Sequence, residues 1–253
     1  MIPLKSPDEI ARMREANVIV AEILREVRDA VRPGVTTAEL DAIAEERTLA
    51  KGAKPAFKGY VVQGRTFPAS ICLSINDEVV HGVPSKKRVL REGDIVGLDF
   101  GVNYQGYYGD AAMTVPVGRV SKEAERLMVA TKAALEAGIA AIRPGAHIED
   151  ISAAIQDTAE AAGYSLVREF VGHGIGRKLH EEPQVPNYRT GARGVILKEG
   201  LVLAIEPMVN AGSAAVYVKE DGWTAATRDG RLSAHFEHSV AVTADGPYIL
   251  SLP

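Results

Sequence analysis

Apolar residues at Ile10, Met13, Val20, Leu24, Val27 and Val31 recur at the spacing of one helical face, and Pro33-Gly34 ends the pattern. Ahead of it, Ser6-Pro7-Asp8-Glu9 reads as a helix start, with Ser6 as the N-cap, Pro7 in the first turn and Glu9 placed to close a capping box. A second helix is predicted from Thr36, with Glu39 three residues on and Leu40, Ile43, Ala44 and Leu49 on its apolar side. Residues 52–70 are rich in Gly, Pro and Lys and read as a loop. The pattern then changes to short apolar runs of strand type at 70–75, 95–101 and 111–117, and another helix begins near Ser121.

The chain also resembles itself. Val31-Arg32-Pro33-Gly34-Val35 returns as Ile142-Arg143-Pro144-Gly145-Ala146, and each copy lies between two helices. Arg91-Glu92-Gly93-Asp94, an apolar run and Asp99 find a counterpart in Lys198-Glu199-Gly200, an apolar run and Glu206. The offsets are 111 and 107 residues, close enough to suggest halves of similar plan, about 1–120 and 121–253, within one domain spanning 1–253. Asp99 and Glu206 become equivalent residues, and a pseudo-twofold axis would bring them together at the centre.

Composition narrows the class. With 46% apolar and 25% charged residues the chain is an ordinary globular one, and its length suffices for a sizeable core. The net charge of −4, with no basic run longer than Lys86-Lys87-Arg88, argues against a nucleic-acid partner. A single cysteine, Cys72, excludes an internal disulfide and fits a reducing compartment. Residues 1–9 contain Lys5, Asp8 and Glu9 and do not read as a secretory signal, and no apolar stretch is long enough to span a bilayer, so a cytoplasmic location is expected.

Asp99 and Glu206 each end an apolar run, where a carboxylate is rarely buried unless paired or metal-bound. For either residue alone, a strand-end acid facing solvent or an arginine is the plain reading; for two equivalent residues a shared ligand is favoured. Asp110 follows Gly106-Tyr107-Tyr108-Gly109, where a hairpin would return the chain past Asp99, and Glu237 precedes Val240-Ala241-Val242, so each half carries a second acid. His173 stands in Gly172-His173-Gly174-Ile175-Gly176, where glycines let an imidazole and the main chain come close to a bound ion or substrate. His180 and His81 are further candidates, the latter with a weaker signal of its own. His235 and His238 flank Glu237 and are expected to be supporting or structural. Four carboxylates with one or two imidazoles and no thiolate suit hard or borderline divalent ions, and two acids able to bridge imply two of them. Hydrolysis is the chemistry such a site performs.

The ordered set His81, Asp99, Asp110, His173, His180, Glu206 and Glu237 resembles the type I methionine aminopeptidases, members of the pita-bread metallopeptidases. The strings Asn76-Asp77-Glu78-Val79-Val80-His81-Gly82, Gly172-His173-Gly174-Ile175-Gly176, His180-Glu181-Glu182-Pro183, Ile205-Glu206-Pro207-Met208 and Asp221-Gly222-Trp223-Thr224 carry the resemblance over essentially the whole chain. It implies an α+β fold of two pseudo-symmetric halves, with helices packed outside a central curved antiparallel sheet. It implies that Asp99, Asp110, His173, Glu206 and Glu237 bind two divalent ions, Co²⁺, Mn²⁺ or Fe²⁺ with Zn²⁺ left open, and that Asp110 and Glu237 bridge them. Asp99 would serve one ion, and His173 with Glu206 the other. It further implies that Glu206 handles protons, His180 stabilises the oxyanion, His81 contacts the scissile amide nitrogen, and Tyr60, Phe67, Cys72 and Trp223 line a methionine pocket.

The implied activity is removal of the N-terminal methionine from nascent polypeptides, with a small second residue preferred, by a monomer whose contact with the ribosome, if made, comes from its surface. Two departures stand out: Leu179 where the family usually has an aromatic residue, and a loop, 61–66, longer than the usual connection. Two other readings remain at this stage, a proline-specific peptidase of the same fold and a non-catalytic binding protein that has lost its metals.

Overall fold

The computed structural model describes residues 2–252. The two N-terminal helices are α1 (Pro7–Ala30) and α2 (Thr37–Ala50), and both begin with the capping boxes expected from sequence, Ser6 with Glu9 and Thr36 with Glu39. The segment read as a loop contains three two-residue strands, β1 (Lys54–Pro55), β2 (Val61–Val62) and β3 (Arg65–Thr66). Runs so short have no periodicity to detect, and their pairing partners are what make them strands. Then come β4 (Cys72–Ile75), β5 (Glu78–Val80) and the long hairpin β6 (Ile95–Tyr104) and β7 (Tyr107–Pro116). Its turn lies at Gln105-Gly106, so Tyr107, Tyr108 and Gly109 belong to the strand and not to the break.

The second half opens with α3 (Lys122–Ala140), capped by Ser121, and α4 (Ile148–Ala161). The strands that follow are β8 (Ser165–Leu166), β9 (Gly172–Gly174), β10 (Glu181–Val185), β11 (Val202–Ile205) and β12 (Met208–Asn210). The chain closes with β13 (Val216–Val218), β14 (Ala225–Thr227), β15 (Ser233–His235), β16 (Glu237–Thr243) and β17 (Gly246–Ile249).

The main sheet is curled and antiparallel, in the order β1-β6-β7-β16-β11-β9-β10, with β4 also on β6 and β17 on β16. The halves meet at its centre, where β7 pairs with β16 through Ala112 with Glu237 and Ala111 with His238. Their common plan extends to single hydrogen bonds. Gly34 N–H donates to Leu90 O at 2.8 Å and Leu90 N–H to Val35 O at 2.8 Å, while Gly145 N–H donates to Leu197 O at 2.9 Å and Leu197 N–H to Ala146 O at 2.7 Å.

Each half has its own core between sheet and helices. Val20, Ile23, Leu24 and Val27 of α1 pack with Leu98, Phe100 and Val102 of β6, and Leu127, Leu135, Ile151 and Ile155 of α3 and α4 pack with Leu203, Ile205 and Val240. Apolar area removed from water between the helices and the outer face of the sheet, at roughly 25 cal/mol per Å², fixes the helices outside and leaves the inner surface free for a site.

Candidate metal centre

The eleven residues singled out from sequence, Tyr60, Phe67, Cys72, His81, Asp99, Asp110, His173, His180, Glu206, Trp223 and Glu237, all line one cavity. Its volume is about 180 Å³, more than ten times the roughly 10–15 Å³ that one water needs. The acids reach it from both sides of the central seam. Asp99 lies on β6 and Asp110 on β7, Glu206 follows β11, and Glu237 opens β16.

The backbone behind Asp110 is held from two directions. Asn17 Oδ1 of α1 accepts from Asp110 N–H at 3.3 Å, and Ser239 Oγ donates to Asp110 O at 2.8 Å. Gly109 permits this, because a Cβ there would collide with the α1 backbone at Ala16 and Asn17. His173 is placed by a similar exclusion. Its strand β9 is squeezed between β11 and β10, and a Cβ on Gly172 or Gly174 would run into the carbonyl oxygens of Ala204 or Glu182. Neither glycine has a positive φ, so what they supply is close approach rather than an unusual backbone conformation.

Ligand atoms of Asp110, His173 and Glu237 lie within 4.8 Å of one another. His173 Nδ1 is 2.9 Å from Gly174 O, which assigns its proton to Nδ1 and turns a bare Nε2 toward the acids. Nε2 stands 3.4 Å from Glu206 Oε1. Asp110 Oδ1 and Glu237 Oε1 are buried without a hydrogen-bond partner in the protein. Two orphaned carboxylate oxygens beside an unprotonated imidazole nitrogen form a donor set that fits a divalent cation, and no lysine or arginine stands in for one.

Burial shifts every group. Burial alone raises Asp99 to about 7, while Asp110, Glu206 and Glu237 are pushed well above the usual carboxylate range by burial first and by repulsion from neighbouring carboxylates second. The histidines move the other way and are held neutral: His173 falls to about 3 and His81 to about 4, and His180 is lowered too, all chiefly by burial. Without a cation such a site holds protons; with one it can give them up.

On the far wall Phe67 meets Trp223 edge to face at 5.2 Å, and His81 meets Phe170 at 5.3 Å. Tyr60 Oη is 2.7 Å from His180 Nδ1. His81 has φ 61, a left-handed conformation unusual for a side chain of its size. Around it, Thr224 Oγ1 donates to Asp221 Oδ2 at 2.5 Å and lies 3.4 Å from His81 O, and Gly82 N–H donates to Ser74 Oγ at 3.2 Å.

His235 Nε2 sits 3.7 Å from Glu206 Oε2 in a supporting position, fixed by reciprocal 2.9 Å bonds between its backbone and Thr114 Oγ1. His238 turns away to Ser251 Oγ at 2.7 Å. Phe57, Val62, Phe170 and Met208 also line the cavity. Nothing in the sequence separates these four from core residues; only Val62, inside the long loop, lay in a segment already marked as unusual.

A two-sided seam of carboxylates closed by a histidine on a curled antiparallel sheet is a donor set able to hold metal, and the chain belongs to metallopeptidase family M24, which it matches over residues 11–244. Within that family it is 48% identical over 254 residues to a methionine aminopeptidase of Aquifex aeolicus, covering 99% of this chain and 98% of that one. The crystal structure of methionine aminopeptidase from Rickettsia prowazekii superposes with a TM-score of 0.96 at 43% identity, with both chains covered completely. A prolidase from Pyrococcus furiosus has the same pita-bread fold at 23% identity and a TM-score of 0.78, over 99% of this chain and 65% of its own.

Proposed function

We propose that this chain is a methionyl aminopeptidase that releases the first methionine of newly made polypeptides, working as one catalytic unit assembled from both halves. The observation that carries this reading is the cavity itself: a buried set of carboxylates and imidazole on one side, and an apolar wall of Phe67, Cys72 and Trp223 on the other. An unbranched thioether fits such a wall, and a free amino terminus fits the acids.

In this reading Asp99, Asp110, His173, Glu206 and Glu237 would hold two divalent ions, Co²⁺, Mn²⁺ or Fe²⁺ with Zn²⁺ left open. Bound there, the ions would polarise the scissile carbonyl and lower the pKa of a neighbouring water. Glu206 takes up and returns protons; its proximity to His173 and His235 supports that role. His180 donates to the oxyanion, and a bare ring nitrogen of His81 accepts from the N–H of the scissile amide. Tyr60, Phe67, Cys72 and Trp223 receive the methionine side chain. The neutral state into which burial pushes both histidines gives each one N–H and one accepting nitrogen. The lone cysteine is buried and unpaired, as suits a reducing compartment, and we assign the activity to the cytoplasm and to a monomer. No helix among the described residues is long and apolar enough to cross a membrane.

The test is cleavage by metal-stripped protein restored with Co²⁺ or Mn²⁺, offered Met-Gly-Met-Met and an X-Pro peptide side by side. Methionine released from the first peptide alone, and not by Asp110→Asn, is the expected result. Cleavage of the X-Pro peptide would move the chain to the proline-specific branch, and a metal-loaded protein that cleaves neither would be a binding protein.

A further inference from the structure

The hairpin β2–β3 is the part of the cavity that the resemblance does not account for. Gln63 (φ 49) and Gly64 (φ 78) are both left-handed and form a tight two-residue turn, so that Val61 pairs with Thr66 and Val62 with Arg65. Both ends of the hairpin are tied to the site. At its foot Phe67 N–H donates to Tyr60 O at 2.8 Å, and Tyr60 reaches His180. Near its tip Arg65 Nη1 donates to Gly222 O at 3.2 Å, beside Trp223, and the guanidinium fills the space where a Gly222 side chain would stand. The hairpin thus bridges the cavity mouth from the His180 side to the Trp223 side.

Its apolar side chains are placed against the usual preference. Val61 is 60% and Val62 43% exposed, yet Val62 lines the cavity. A two-stranded hairpin gains no core from exposed valines. Deeper in, Phe67 and Cys72 are 3% and 4% exposed, so exposure rises from the cavity floor to Val62 at the rim. A polypeptide whose first side chain lies on the floor must leave past that rim. In an extended chain the first and third side chains fall on the same face, about 7 Å apart at the rise of a strand. The third side chain therefore returns to the wall that holds the first.

We propose that the β2–β3 hairpin is a substrate wall beyond the scissile bond, and that Val62 confers a preference for an apolar residue at the third position of the polypeptide. This rests on the aminopeptidase reading.

The test compares kcat/KM for Met-Gly-Leu and Met-Gly-Ser in the Mn²⁺-loaded wild type and in Val62→Ser. The same peptides are titrated onto metal-free protein by the fluorescence of Trp223, the only tryptophan of the chain. Expected is a preference for leucine of about fivefold or more in the wild type, reduced about fivefold in Val62→Ser, with the binding ratio moving in parallel. Val62→Lys, which lengthens the side chain and adds charge, should reduce it at least as far, and serves should Val62→Ser lose its fold. A leucine-to-serine ratio that the substitutions leave unchanged overturns the proposal while methionine release stands. A loaded wild type that releases no methionine, even from methionine amide, overturns instead the reading beneath it.

Discussion

His180 has one ring nitrogen occupied. Tyr60 Oη lies 2.7 Å from Nδ1, and a hydroxyl donating there leaves the ring proton on Nε2, the form able to donate to an oxyanion. Tyr60→Phe keeps the ring in the pocket wall and removes only this tie. It should lower kcat by about tenfold, the low end of the range seen when a functional histidine loses its orienting partner, with KM within about twofold. Steady-state kinetics on Met-Gly-Met-Met decide it, and an equal loss in kcat/KM through KM would assign Tyr60 to binding alone. Glu237→Gln, which neutralises an oxygen with no protein partner, should lower Mn²⁺ affinity by more than about 100-fold in calorimetry. The acids were legible in the sequence because a carboxylate closing an apolar run conflicts with its surroundings. Phe57, Phe170 and Met208 were not, because an aromatic or thioether side chain against substrate has the same pattern as one against core.

Among the elements, those with local signals were read correctly. The capping box of Ser6 and Glu9 starts α1, and Ser6→Ala should remove about 1 kcal/mol, a fall of about 2–4 °C in melting temperature for a chain of this size. The β6–β7 hairpin follows from two short apolar runs with a break between them, and its turn lies a few residues earlier than the Gly106–Gly109 break suggests. By contrast β1, β2 and β3 lie in a stretch whose composition reads as loop, since two residues cannot display a period and their identity as strands depends on partners elsewhere. Gly172 and Gly174 show the same limit: the sequence displays them around His173, but the reason, a strand crowded by Ala204 and Glu182, needs the neighbours. Gly174→Ala should therefore destabilise by about 1–3 kcal/mol or more in urea titration, even though alanine is the better residue in an unconstrained chain.

For the whole molecule the acids make stability depend on both pH and metal. The buried histidines, with values lowered from 6.5, are neutral in the folded chain and lose their remaining protons in the unfolded chain over about pH 6.5–7.5, a smaller and opposing contribution. The carboxyls outweigh it. Unfolded, they are already ionised; folded, Asp99 titrates near 7 and the other three well above the usual carboxylate range. The folded state then binds more protons than the unfolded one, so metal-free protein should lose stability as pH rises from about 6.5 to 8. Urea midpoints in chelator should fall over that range, and Mn²⁺ should abolish the decline by replacing the protons. The repeat between the halves was legible as two short strings at similar offsets, and the structure returns it as matching hydrogen bonds at Gly34 and Gly145.

The seam at the centre of the sheet carries a mechanical consequence. β6 and β7 are matched over ten residue pairs, from Ile95 with Pro116 to Tyr104 with Tyr107, whereas β7 and β16 are matched over two, Ala112 with Glu237 and Ala111 with His238. Asp110 and Glu237 stand on opposite banks of that narrow join. An ion gripped by both would be a rivet across one of the shortest joins of the sheet, and a chain pulled from its two ends should part there more readily when the rivet is withdrawn.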